Sequence, residues 1–224
     1  QRSDSDIAAM LYTSGTTGRP KGAMLTHRGL IANGIALHDI WGFESGDILL
    51  HCLPIFHVHG LFVALHCSIL SGSEVIFLSK FEPEIIIDHL PDVTVMMGVP
   101  THYIRLLDDS RFNHDLCARM RLFTSGSAPM SAPVHEKFQK QTGHQILERY
   151  GMTEAGIITS NPLLGERIPA TVGFPLPGME LRVSQDGREC DFDELGVVEV
   201  QGDHLFAGYW RQPEKTATSF SEDG

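Results

Sequence analysis

Residues 12–22 read YTSGTTGRPKG. Three glycines, the hydroxyls of Thr13, Ser14, Thr16 and Thr17, one proline and the cations Arg19 and Lys21 make this a stretch built to hold an anion. Glycines let backbone N–H groups approach an anion closely, hydroxyls add donors, and Lys21 brings a compact charge. Polyphosphate is the natural ligand of such a set. The GxxxxGK[ST] phosphate loop is excluded: counted from Gly15, its second glycine position is Pro20, and Gly22 follows Lys21 where a Ser or Thr should ligate magnesium. Composition alone is also that of a flexible surface loop, so the surrounding sequence has to decide.

Working outward, residues 7–12 (IAAMLY) form a strand that leads into the loop, and Thr26 caps a helix running to about Leu37. Apolar runs of strand length then alternate with helical patterns. Strands are expected at 48–53, 75–78, 93–97, 122–124 and 146–149, with helices at 61–70, 84–89, 132–142 and behind a Thr101 cap in THYIRLLDD. This alternation predicts an α/β fold with a mainly parallel sheet and flanking helices. From about residue 168 the texture changes: TVGFPLPGMELRV, LGVVEVQG and LFAGYW are β-rich and broken by glycine and proline, which predicts a smaller antiparallel β-region. The expected division is residues 1–165 and 166–224 of one larger domain, with the boundary within 161–169.

Composition limits the function classes. The chain has 224 residues, enough for a substantial core, and a formal net charge of −11, so broad attraction to nucleic acid or anionic lipid is not expected. A phosphate-bearing ligand must then be captured by local donors. Cys52, Cys67, Cys117 and Cys190 are widely spaced with no CxxC pair, which reads as reduced thiols in a cytoplasmic compartment, or the mitochondrial matrix if the source is eukaryotic. The start, QRSDSDIAAM, has no basic n-region and no long apolar run, and no apolar stretch reaches the ~20 residues that span a bilayer.

Further motifs carry a resemblance. TSGTTGRPKG is similar, unbroken, to the signature loop of the adenylate-forming (AMP-binding) superfamily of acyl-CoA synthetases, luciferases and peptide-synthetase adenylation domains. PIFHVHG (54–60), SGSAP (125–129), YGMTE (150–154), TVGFPLPG and GYWRQPEKT (208–216) resemble its later motifs, in the family's order and over essentially the whole chain. The implied chemistry has two steps: a carboxylate attacks the α-phosphate of ATP to give an acyl-adenylate, and a CoA thiolate then displaces AMP. The first step needs charge neutralisation on pyrophosphate more than a base, because a carboxylate is already ionised at neutral pH.

The resemblance assigns roles by residue. Thr13, Ser14, Gly15, Thr16, Thr17, Gly18 and Lys21 would hold phosphates; Glu154, helped by Thr153, would hold Mg2+, an ion that accepts few protein ligands and keeps waters. Gly126, Ser127 and Ala128 would admit the adenine, with Tyr150 as the opposing face beside Gly151. Placing SGSAP and YGMTE after strands agrees with a nucleotide site on general grounds, since α/β ligands bind at strand carboxyl ends. His57 would wall the acyl pocket. His57 and His59 also invite a zinc reading, because an HxH in a strand puts two imidazoles on one face, but no Cys, Asp or Glu completes a ligand set nearby. His59 reads as structural.

The substrate reading turns on GVPTHYIRLL. Arg105 follows Thr101 by one helical turn, and a cation on the helix that walls the acyl pocket suits a second carboxylate better than a plain fatty or aromatic acid. With HCLPIFHVHGLFVALH, this stretch most resembles malonyl-CoA synthetases. Arg149 is a second candidate for the distal carboxylate, and Ser125 or Ser127 for an added donor; Arg105 as a surface cation is the competing explanation. Synthetases for acetate-like, fatty or coumarate-like acids, and a non-catalytic nucleotide-binding protein of the same fold, are the alternatives. Both ends read as cut: the family's ribose-binding aspartate, hinge and C-terminal lysine domain would follow residue 224. The expectation is an internal piece, inactive alone, of an ATP- and CoA-dependent ligase.

Overall fold

The computed structural model describes residues 2–13, 20–185 and 187–221. Strand β1 (Ile7–Thr13) pairs antiparallel with β2 (Lys21–Thr26), in register from Ile7 opposite Thr26 to Thr13 opposite Lys21. The glycine-rich stretch therefore joins a hairpin; its residues 14–19 lie outside the described residues. The sequence reading expected a strand, then the glycine-rich loop, then a helix, and missed β2, because KGAMLT is short, contains glycine and shows its strand character only against a partner. Helix α1 (His27–Ile40) starts as expected, with Thr26 Oγ1 accepting from Gly29 N at 3.0 Å.

The main sheet contains β3 (Ile48–His51), β4 (Glu74–Phe77), β5 (Val95–Gly98), β6 (Leu122–Ser125), β7 (Leu147–Met152), β8 (Gly156–Ser160) and β9 (Phe174–Pro175), in the order β4-β3-β5-β6-β7-β8-β9. The first five are parallel and the last two antiparallel. Every residue of β5 and β6 is buried, the pattern of parallel strands covered on both faces. Successive side chains serve opposite cores. Leu49 and Met97 pack with Leu37 of α1, with Trp41 at its C-cap and with Cys67 of α2 (Leu65–Ser71). Leu50 and Met96 pack with Ile86 of α3 (Pro83–His89), Tyr103 of α4 (Pro100–Leu106) and Phe138 of α5 (Ala132–Thr142). The buried Tyr103 hydroxyl donates to Thr124 O at 2.6 Å, tying α4 to the sheet.

Two boundaries differ from expectation. Helix α4 is capped by Val99 with Pro100 at its first position, not by Thr101, because proline has the required φ and no N–H to leave unbonded. The large sheet also continues past residue 165, through β9, before the texture changes. The antiparallel region then appears as β10 (Met179–Gln185), β11 (Arg188–Glu189) and β12 (Val197–Gly202), ordered β11-β10-β12. Beyond β12 the chain returns to the first hairpin: Ala207 N donates to Met24 O at 2.8 Å and Trp210 N to Gly22 O at 2.8 Å, with Tyr209 bridged to Ala23. Short helix α6 (Pro213–Ala217) follows. No helix among the described residues is long and apolar enough to cross a membrane.

Candidate active site

A cavity of about 530 Å³ opens beyond the carboxyl ends of β5, β6 and β7, with His57, His59, His102, Ser127, Arg149 and Thr153 among its walls. The HxH pair does not lie in a strand. His57 sits in an exposed bend, whereas His59 begins a π-helical turn (His59–Ala64) and is 7% exposed, so one imidazole faces solvent and the other the interior. Among the described residues no group of three or more His, Cys, Asp or Glu is placed to hold a metal.

Arg149 is the cavity's cation. It lies on β7 and is 4% exposed. The pairing of Ser125 with Glu148 brings Gly126 alongside Arg149, and the guanidinium fills the space a side chain would take: a Cβ at Gly126 would stand 2.6 Å from Arg149 Nε. Its Nε and Nη2 have no hydrogen-bond partner among the described residues. Burial pushes the pKa down to about 10, which still leaves a full charge at neutral pH. A buried charge without a partner is strongly unfavourable.

Other predicted residues take different stations. His59 Nδ1 is 3.3 Å from Ser127 Oγ, while its Nε2 has no partner among the described residues; burial first, then the Arg149 charge, hold its pKa well below the ordinary histidine value. Ser125 ends β6 with its Oγ buried and unpartnered. Arg105 does not line the cavity. It is exposed, 5.0 Å above the Phe81 ring, and Phe81 in turn stacks on His102 at 4.0 Å.

Thr153 and Glu154 form the turn between β7 and β8, so adjacent residues serve two sites: Thr153 lines the cavity, and Glu154 belongs to a buried network beside it. The Tyr209 hydroxyl donates to Glu154 Oε1 at 2.6 Å and accepts from Lys21 Nζ at 3.1 Å, with the ammonium 4.3 Å above the Tyr209 ring. Burial, then the bond to Glu154, raises the Tyr209 pKa. Asn33 of α1 holds the turn in place: its Nδ2 donates to Ile157 O at 2.8 Å and its Oδ1 accepts from Ile157 N at 3.1 Å. Gly156, at φ +63°, admits this contact, since a Cβ there would meet Asn33 Oδ1 at 2.6 Å.

Sequence reasoning had no place for Tyr209 or Asn33, because no spacing relates residues 21, 33, 154 and 209; GYWRQPEKT was the only trace of the former. Thr13 stands opposite Lys21 with its Oγ1 buried and without a hydrogen-bond partner among the described residues. Tyr150 is 38% exposed, Gly151 lines the cavity, and Ala128 is exposed past the end of β6. The candidates Ser14, Gly15, Thr16, Thr17 and Gly18 lie outside the described residues.

Comparison with known proteins follows this geometry. A family model described as AMP-binding enzyme matches residues 1–210. The chain is 40% identical over 253 residues to the mouse mitochondrial malonate–CoA ligase ACSF3, covering 97% of this chain and 43% of that protein. ATP-bound MatB from Rhodopseudomonas palustris superposes with a TM-score of 0.97 at 50% identity, covering 100% of this chain and 45% of that one. A malonyl-CoA ligase ternary product complex with methylmalonyl-CoA and AMP superposes with a TM-score of 0.92 at 40% identity, covering 99% of this chain and 49% of that one. The chain thus spans less than half the length of these relatives.

Proposed function

The chain belongs to the AMP-binding enzyme family, and from that premise we propose that the whole protein is an AMP-forming acid–CoA ligase whose acid is a small dicarboxylate, malonate or methylmalonate. The observation that carries the substrate choice is Arg149, a buried guanidinium among the residues that line the cavity, with two nitrogens that have no hydrogen-bond partner among the described residues. A plain fatty or aromatic acid would leave that charge uncompensated, whereas a second carboxylate supplies the oxygens it lacks. Arg105 is assigned a lesser part, because it is exposed, lies over the Phe81 ring and is not among the residues that line the cavity.

With the distal carboxylate on Arg149, the reacting carboxylate points toward Thr153 and the Glu154 turn. There it attacks the α-phosphate of ATP, forming the acyl-adenylate and releasing pyrophosphate; a CoA thiolate then attacks the activated carbonyl, forming the thioester and releasing AMP. Lys21 and Thr13 neutralise and hold the leaving phosphates, together with Ser14, Gly15, Thr16, Thr17 and Gly18. Tyr209 sets the spacing of Lys21 from Glu154. Gly126, Ser127, Ala128, Tyr150 and Gly151 accommodate the nucleoside. Glu154, a lone carboxylate beside Thr153, suits Mg2+, which keeps several waters and takes its remaining ligands from phosphates. When bound, that ion neutralises charge developing on the pyrophosphate.

The test is ATP–pyrophosphate exchange by the full-length protein with malonate, methylmalonate, acetate and coumarate. Malonate or methylmalonate should give the highest kcat/KM. A preference for acetate or coumarate would sink the dicarboxylate assignment, and absence of exchange with every acid would sink the ligase itself.

A further inference from the structure

The segment from residue 203 to residue 209 grips the β7–β8 turn at two points. Phe206 N donates to Glu154 O at 2.7 Å, and the Tyr209 hydroxyl donates to Glu154 Oε1 at 2.6 Å. A third contact reaches the turn through another residue. His204 Nδ1 lies 3.1 Å from Asn33 Nδ2, and Asn33 in turn holds Ile157 with both atoms of its amide. Because Asn33 Oδ1 accepts from Ile157 N, the amide atom beside His204 is the nitrogen, which only donates. His204 Nδ1 is therefore the acceptor, and the ring proton sits on Nε2. The ring is buried, and burial lowers its pKa, which favours this neutral form.

These contacts close a ring through space: Asn33 on α1, Ile157 on β8, Glu154 in the turn, then Phe206 and His204 on the returning segment. The far end of that segment, from Ala207 to Trp210, is held separately by its pairing with β2. The near end crosses α1 over Gly29, where Asp203 O and His204 O would each stand 3.4 Å from an added Cβ. An ion pair between Arg28 and Asp203, 3.9 Å apart and exposed on both sides, adds little there. The bond from Asn33 to His204 thus fixes where the near end lies, and with it the places of Phe206 N and the Tyr209 hydroxyl on Glu154. A displacement of about 1 Å at groups that act on the reacting atoms is costly in rate.

We infer that His204 is a positioning residue for adenylation: by accepting from Asn33 it seats the 203–209 segment so that Phe206 and Tyr209 hold the Glu154 carboxylate in its working place. The inference rests on the ligase reading above, in which Glu154 serves adenylation, and is independent of which acid is activated.

The experiment measures pyrophosphate exchange by the full-length enzyme with whichever of malonate, methylmalonate, acetate and coumarate it uses best, in wild type, His204→Asn, His204→Gln, His204→Leu, Tyr209→Phe and the Leu–Phe double variant. An asparagine oxygen falls near the place of Nδ1 and keeps an acceptor for Asn33, a glutamine oxygen reaches past it, and leucine has none. Leu and Gln should lower the exchange kcat about fivefold with the KM values for ATP and acid within about twofold, and Asn should stay within about twofold of wild type. The double variant should be no slower than the roughly tenfold loss expected of Tyr209→Phe alone, because both changes release the same carboxylate; independent effects would multiply to about fiftyfold. Amide hydrogen exchange gives a second readout: Phe206 N–H should lose protection in the Leu variant and keep it in the Asn variant, while Trp210 N–H, paired with β2, stays protected in both. A Leu variant as fast as wild type, an Asn variant as slow as Leu, multiplied effects in the double variant, or unchanged protection at Phe206 in the Leu variant each overturn the inference alone. If the Leu variant fails to fold, the contrast between Asn and Gln decides, and equal rates overturn the inference. A wild type without exchange for any of the four acids overturns the ligase reading and this inference with it.

Discussion

The cavity beyond β5 to β7 and the network behind the β7–β8 turn keep their cations in opposite states. In the cavity, Arg149 is buried with two nitrogens unpartnered, and His59 adds a third. In the network, Lys21 already donates to Tyr209, which donates to Glu154. The first arrangement is complete only when a ligand brings its own negative charge. The second is satisfied without one, and a polyphosphate with its cation must rearrange it. On the proposed reading the cavity selects by what it lacks, since an acid without a second carboxylate would leave the guanidinium uncompensated. The network holds its parts in position, so its effects should appear in the rate of adenylation rather than in the choice of acid.

The largest effect that would break this comparison is expected at Arg149. Arg149→Leu in the full-length enzyme should lower kcat/KM for malonate by roughly 100-fold while leaving the KM for ATP nearly unchanged, because a buried charged hydrogen-bond donor is lost. Equal losses for both substrates would erase the distinction between the two regions. Gly126→Ala should act in the same direction, by roughly 30-fold, as the new Cβ displaces the guanidinium without removing its charge. A thermal melt near the wild-type value would show that the fold survives.

Tyr209→Phe probes the other region. Removing the hydroxyl that joins Lys21 to Glu154 should slow pyrophosphate exchange by about tenfold, with the KM for malonate little changed. A selective rise in malonate KM would place Tyr209 on the wrong side of the comparison. The pH dependence of stability reports on the buried histidines of both regions and beyond: burial lowers the pKa values of His51, His59, His66, His144 and His204, and that of His102 to about 4. Between the ordinary value near 6.5 and that lower value, the unfolded chain binds more protons than the folded one, so stability falls as pH drops through this window. Melting temperature should be flat above pH 6.5 and decline toward pH 4. Arg105→Leu is expected to have the smallest effect, under about threefold on malonate KM, since an exposed cation outside the lining contributes little. A large, malonate-specific effect would transfer the second carboxylate to α4.

Much of the fold was legible because its signals are local. The alternation of apolar runs with helical patterns marks β3 to β7 and their helices, and the β-rich texture after residue 168 marks the small antiparallel sheet. The misses have local explanations as well. β2 is a strand only because β1 lies opposite it, and α4 starts at Pro100 because the stronger starting signal was proline at the first position rather than the threonine after it. In the site, the motif residues were visible as residue types, but which of them face the same space was not. Arg105 and Arg149 are both arginines beside family motifs, and only burial separates them.

The sequence by itself determined that this chain is an α/β protein carrying the AMP-binding motifs in order, because those features depend on residue identity and spacing along the chain. The tertiary structure decided which cation is buried without a partner, that the two histidines of HVH face different surroundings, and that Tyr209 joins Lys21 to Glu154. Desolvation and hydrogen bonding act through space, between residues as far apart in sequence as Lys21 and Tyr209, and no linear pattern records them.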